Sequence, residues 1–178
     1  MSRILIAGMG NVLRGDDGFG VETAKRLAAC DSLGSDARVI EVGIGGIHLV
    51  QELMDGYDTL VVIDAVDRGS IPGTIHLLLA EVPDLAEWAE HERRDFLADM
   101  HYTTPSKALI LARALGVLPA KAYILGCQPA EVDAVGIGLT DPVAKAVSEA
   151  VQMVQRMTQR ATGHHDQDKH SGPMAGIA

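Results

Sequence analysis

Residues 4–22 read ILIAGMGNVLRGDDGFGVE, and this stretch decides the fold. A short, wholly apolar run breaks into a glycine loop and is followed by a helical pattern, the order of a buried parallel strand entering its crossover helix. The loop resembles a nucleotide loop and then departs from one. Gly8 and Gly10 open it, but Leu13 stands where a dinucleotide fingerprint needs its third glycine. Asp16 and Asp17 lie where the next helix begins, so two carboxylates would compete with a pyrophosphate for the helix amides. Phosphate is a poor fit. A loop that offers carboxylate oxygens to a cation, with glycines letting the backbone turn around them, fits better.

Outward from this unit, short β-branched runs alternate with longer helical patterns. Strands are expected at Arg3 to Ala7, Ala37 to Val42, Thr59 to Ala65, Thr74 to Leu79 and Ala122 to Gly126, each close to continuously apolar, as buried strands are. The run after Pro72 and Gly73 also reads as an antiparallel edge. Helices are expected at Gly18 to Ala29, Ile47 to Met54, Asp84 to about Arg94, Pro105 to Leu115 and Asp141 to Arg160. The last is the plainest: Thr140 or Asp141 as cap, Pro142 in the first turn, and Val143, Val147, Ala150, Val154 and Met157 on one stripe. This alternation predicts an α/β fold of three layers, a mostly parallel twisted sheet of about five strands with helices on both faces. Residues 1–160 form the single domain; residues 161–178, polar and without periodicity, read as a disordered tail. His164, His165 and His170 in that tail lack a rigid element to fix them as ligands.

The chain has 178 residues, 47% hydrophobic and 22% charged, enough to bury a core without cross-links. Its net charge of -9 disfavours nucleic acid and anionic membrane, both of which are bound through clustered Lys and Arg. Cys30 and Cys127 have no metal-type spacing and read as two reduced thiols. With no apolar run near the length of a membrane span, the expected location is the cytoplasm. The mixed-charge stretch 87–99 reads as a solvent-facing helix, anchored by Trp88 and Phe96.

Ligands of an open parallel sheet bind beyond the carboxyl ends of its strands. Three places there carry chemistry: Asp16 and Asp17 after the first strand, Asp64 and Asp67 around the end of TLVVI, and His101 just before the helix opened by Pro105. Two carboxylates and an imidazole meeting at one rim would leave coordination positions open, as a catalytic or transient metal site needs, without selecting the metal. Plainer readings stand beside this one. Asp16-Asp17-Gly18 is also a turn with a helix-capping Asp, and His101 is also a cap or core histidine. An Asp closing a buried strand is harder to set aside, because an unpaired carboxylate there is costly. His48, His76 and His91 read as structural or solvated. An aspartic dyad is disfavoured for adjacent Asp16 and Asp17, which point apart, though Asp17 and Asp64 are placed to share a proton. No GxSxG elbow is present, and neither cysteine has a local activator.

Four motifs in order, GMGNVLRGDDGFGVE, VVIDAVDRG followed by PGT, HYTTP and LGCQPAEVDAVGIGLTDPV, resemble those of the [NiFe]-hydrogenase maturation endopeptidases, from about Arg3 to Met157. The resemblance implies a peptidase that removes a C-terminal extension from the hydrogenase large-subunit precursor once nickel is inserted. It places Asp17, Asp64 and His101 as the metal-site residues, with Asp17 and Asp64 also catalytic and Asp16 as the acidic neighbour. The nickel is expected to arrive on the substrate. Several relatives carry Glu at the first ligand, one methylene longer than Asp17, and a Gly-Gly-Thr segment where this chain has Val42, Gly43 and Ile44 before Gly45 and Gly46. Competing expectations are a peptidase of the same sheet that holds its own metal, and a non-catalytic nickel-dependent chaperone of the hydrogenase subunit.

Overall fold

The computed structural model describes residues 2–30, 33–98, 104–131 and 135–163. Five strands form one sheet: β1 (Ile4–Met9), β2 (Ala37–Gly43), β3 (Thr59–Ala65), β4 (Ile75–Leu79) and β5 (Lys121–Cys127), in the order β2-β1-β3-β5-β4. All neighbours are parallel except β4, which runs antiparallel on β5 as the outer edge. The Pro72-Gly73 turn therefore feeds an antiparallel strand, the second of the two sequence expectations.

Helices cover both faces. α1 (Phe19–Ala28) and α5 (Asp141–Gly163) pack on one, where Phe19, Leu27, Val143, Val147, Ala150 and Val154 meet Ile4, Ile6, Val61, Ile63 and Leu125. α2 (Gly46–Leu53) and α4 (Pro105–Ala114) pack on the other, against Leu5, Ala7, Leu60, Val62 and Ala122. The alternation of each strand's side chains between these two cores is the pleat at work. At Gly20, α1 approaches the strand ends so closely that an added Cβ would run into the carbonyls of Met9 and Ile63. Only glycine lets the helix start there.

Two expectations need correction. Of β2, only Val42 is buried, because β2 is an edge strand and one flank faces solvent. The expected helix from Asp84 to about Arg94 is two pieces, a 3-10 turn at Leu85–Glu87 and α3 (Glu90–Ala98). Asp84 accepts from the Ala86 N–H at 2.9 Å, Trp88 then turns to an extended backbone (φ −84°, ψ 152°), and Glu92 reaches back to the Ala89 N–H at 2.9 Å to start α3. The break lets Trp88 stand edge-on to Phe96, ring centroids 5.6 Å apart, over a small core of Leu85, Phe96 and Ile110.

α5 continues to Gly163, past the expected end at Arg160; residues 164–178, with their three histidines, lie outside the described residues, as does His101. Both cysteines are free thiols. No helix among the described residues is long and apolar enough to cross a membrane.

Candidate active site

In the strand order the chain turns to one side of β1 to make β2, then to the other to make β3. The carboxyl ends of β1 and β3 therefore flank the topological switch point, the usual ligand crevice of an open α/β sheet. Three features meet there. The register of β1 on β2 shifts between Gly8 and Met9, whose partners Glu41 and Gly43 leave Val42 of β2 as the extra residue. Gly10 follows with φ +114°, in a region open to glycine. A Cβ on Gly10 would collide with the Asp17 carbonyl and lie 3.3 Å from Asp64 Oδ1. The glycine is what allows these two acidic segments to close on the end of β1.

The 3-10 turn Gly15–Gly18 points its two aspartates to different places. Asp16 is buried and fully engaged: Oδ2 accepts from the Ala130 N–H (2.8 Å), the Glu131 N–H (3.4 Å) and the Thr140 hydroxyl (3.0 Å), and Oδ1 from the Thr140 N–H (2.7 Å). It ties the start of α5 and the segment after β5 to the glycine loop. Asp17 is half-buried and accepts from the Asn11 N–H at 2.9 Å. Neither caps α1, whose cap residue Gly18 receives no side-chain bond, so the helix-cap reading of this pair fails. The expectation that Thr140 caps α5 is likewise modified: its hydroxyl serves Asp16, while its carbonyl accepts the Ala144 N–H.

Asp64, one residue from the end of β3, has a single hydrogen bond among the described residues, from the Ala65 N–H at 2.9 Å. Burial, and next the charge of Asp17, push its carboxyl up to about 7; the Ala65 amide pulls the other way. Asp17 and Asp64 are thus brought together, and the pair has no cationic side chain bonded to it among the described residues. Asp67 is not part of this group. Gln128 Nε2 (2.9 Å) and the Gly69 N–H (3.0 Å) hold its carboxyl below the usual range and make it a turn residue. His101 lies outside the described residues, and among those described no three His, Cys, Asp or Glu cluster tightly enough to hold a metal.

Two residues carry more than the sequence reading gave them. Gln128, buried directly after β5, accepts from the Arg68 and Ser70 N–H groups (2.7 and 3.1 Å) and donates to Asp67 and the Pro129 carbonyl, clamping the loop after β3. A polar side chain just past a buried strand was the available signal. His76 lies in the same cross-strand row as Asp64, since Asp64 pairs with Gly126 and Gly126 with His76, so both project to the α2/α4 face. The Val66 side chain packs over Gly126, and His76 Nε2 is buried with no hydrogen-bond partner among the described residues. Cys127 is no nucleophile: burial, then the charges of Asp16 and Glu149, push its thiol up to about 12.

The fold and site together are a mostly parallel α/β sheet whose switch-point crevice holds two neighbouring carboxylates. The chain belongs to the hydrogenase maturation protease family, which it matches over residues 21–157. It is similar to the hydrogenase expression/formation protein HupD of Rhodobacter capsulatus, 32% identical over 84% of this chain and 70% of that protein. A putative hydrogenase maturation protease of Methanocaldococcus jannaschii is 31% identical over 85% of this chain and 93% of its own. Among solved structures, the hydrogenase maturating endopeptidase HybD from E. coli superimposes with a TM-score of 0.70 at 27% identity, covering 89% of this chain and 93% of that one.

Proposed function

We propose that this protein cleaves a C-terminal peptide from the nickel-loaded large-subunit precursor of a [NiFe]-hydrogenase, and that the nickel on the substrate is what it recognises. The observation that carries this reading is the Asp17–Asp64 pair: two half-buried carboxylates at the switch point, the charge of one raising the pKa of the other, and Asp64 with one hydrogen bond among the described residues. A divalent cation relieves that repulsion, and carboxylate oxygens suit it. Family membership supports the peptidase activity. Asp17, Asp64 and His101 would hold the ion, joining precursor and protease only when the metal is in place. A carboxylate of the pair would then act as general base toward the water that attacks the scissile carbonyl. A second reading, a metal-free dyad sharing one proton, draws on the same upward push at Asp64.

The test is the intact mass of the cognate precursor, nickel-loaded or nickel-free, after incubation with the protein and with an Asp17→Ala variant. Loss of a C-terminal peptide only from the nickel-loaded precursor, and only with the unmodified protein, is the expected result. Equal cleavage of the nickel-free precursor would favour the dyad. Selective binding of the loaded form without any mass change would make the protein a chaperone.

A further inference from the structure

The carboxyl edge of the sheet carries a concentration of exposed aliphatic side chains. Ile44 (71% exposed) and Ile47 follow β2, Val12 and Leu13 lie in the glycine loop, and Val135 (92%) and Ile137 (86%) lie before α5. Val12, Leu13, Ile44 and Ile137 share one surface, and Val135 adjoins it next to Gly136. Val12, Leu13 and Ile44 line a common cleft of about 360 Å³ with Gly10, Val21 and Val42, and Val12 and Ile137 line a second of the same volume. Leu13 and Gly136 are joined through backbone bonds, from the Gly136 N–H to the Leu13 carbonyl (3.0 Å) and from the Gly15 N–H to the Gly136 carbonyl (2.8 Å).

We propose that this apolar collar, Val12, Leu13, Ile44, Val135 and Ile137, is the docking surface for an apolar, extended segment of the precursor beside the bond to be cut. The inference rests on the function proposed above and names how that substrate is held. Exposed apolar patches of this kind mark interaction sites, and here the loops that bear it are fixed in advance. Asn11 Oδ1 accepts from the Leu13 N–H at 3.0 Å, its carbonyl accepts from the Arg14 N–H at 3.0 Å, and Asp16 holds residues 130, 131 and 140. Such preorganisation lowers the ordering cost of binding.

Position names the occupant. Gly10 forms a wall of the first cleft and also borders Asp64 Oδ1, so a chain seated in the cleft runs onto the carboxylates. A second copy of the protein on the same collar would instead cover Asp17 and Asp64. The charged residues lining the two clefts, Lys25 and Arg26 against Glu22 and Glu41, balance in sign, which favours an apolar segment over an acidic or basic one.

The experiment is steady-state cleavage of the cognate nickel-loaded precursor by the unmodified protein, by a Val135→Asp/Ile137→Asp variant and by Ile44→Asp, with Leu115→Asp as control at the other end of the sheet. Because the substituted side chains are exposed, the thermal midpoint should hold; Ile137→Ser serves as a milder variant. The collar variants should raise KM by about tenfold or more, with kcat within about twofold, and the control should match the unmodified protein. Wild-type KM in both collar variants would overturn the docking surface while leaving the protease reading intact. Loss of a sedimenting dimer in those variants without a KM change would overturn it too. Failure of the unmodified protein to cleave its cognate precursor would overturn the parent reading and this one with it.

Discussion

Glu52 at the amino end of the sheet and Asp64 at the carboxyl end stand in opposite settings. At the amino end, Glu52 is buried and well served: Arg38 reaches it through Nε at 2.7 Å and Nη2 at 3.0 Å, and the Tyr57 hydroxyl donates at 2.6 Å. Around it Arg3 stacks over the Tyr57 ring and donates its backbone N–H to Asp58 at 2.8 Å, so each charge there has an opposite or polar neighbour. At the carboxyl end, Asp64 has one amide and a like charge beside it. The arrangement at Glu52 stabilises the fold. The one at Asp64, half-buried beside a like charge, disfavours the ionised carboxylate.

The sharpest way to break this contrast is to remove each charge without changing shape. Asp64→Asn should lower precursor processing, followed by intact mass, by about 10² to 10⁴-fold while the protein stays folded. Normal processing by a folded variant would remove Asp64 from the site. Asp16→Ala leaves three N–H groups and a hydroxyl without their acceptor and should lower the unfolding free energy by about 3 kcal/mol, measured by urea denaturation. Asp16→Asn, which keeps one acceptor oxygen, should recover part of that.

Glu52→Gln keeps the acceptor for Tyr57 but loses the charge facing Arg38, and should cost about 1 kcal/mol, since Arg38 is largely exposed. Its processing rate should match that of the unmodified protein. Tyr57, now pushed up to about 12 first by burial and next by Glu52, should titrate lower by absorbance, though not at its ordinary value, because the burial remains.

The subtlest prediction concerns pH. Asp64 moves from about 3.8 in the unfolded chain to about 7 in the folded one, so between those values the native state holds more protons. Its contribution is complete below about 4 and is lost as pH rises through about 7. Denaturation midpoints should fall over that range, and Asp64→Asn should flatten the fall; an unchanged slope would mean that burial and Asp17 do not raise the Asp64 carboxyl as described.

Most of the architecture was legible because it rests on local rules. Alternating apolar runs and helical stripes mark the parallel sheet, Pro105 and Pro142 open their helices, and the Pro72-Gly73 turn announces an antiparallel edge. The miss at Asp84 to Arg94 came from tertiary packing: nothing in a charged helical pattern shows that Trp88 will leave it to meet Phe96. Within the candidate site, Asp64 could be picked out by its place at the end of an apolar strand. Asp16 and Asp17 are the same residue type at neighbouring positions, and no local rule separates the one that is saturated from the one that is open.

The sequence by itself determined the fold class, the family motifs and the set of carboxylates from which a site could be built, because these depend on periodicity and residue type. Only the tertiary structure decided that Asp16 is a clamp, that Asp17 and Asp64 repel each other, that Gln128 fixes the loop after β3 and that the exposed side chains of Val12, Leu13, Ile44 and Ile137 share neighbouring clefts. Each of those depends on which groups from distant parts of the chain come within a few ångströms, and hydrogen bonding and desolvation act only at that range.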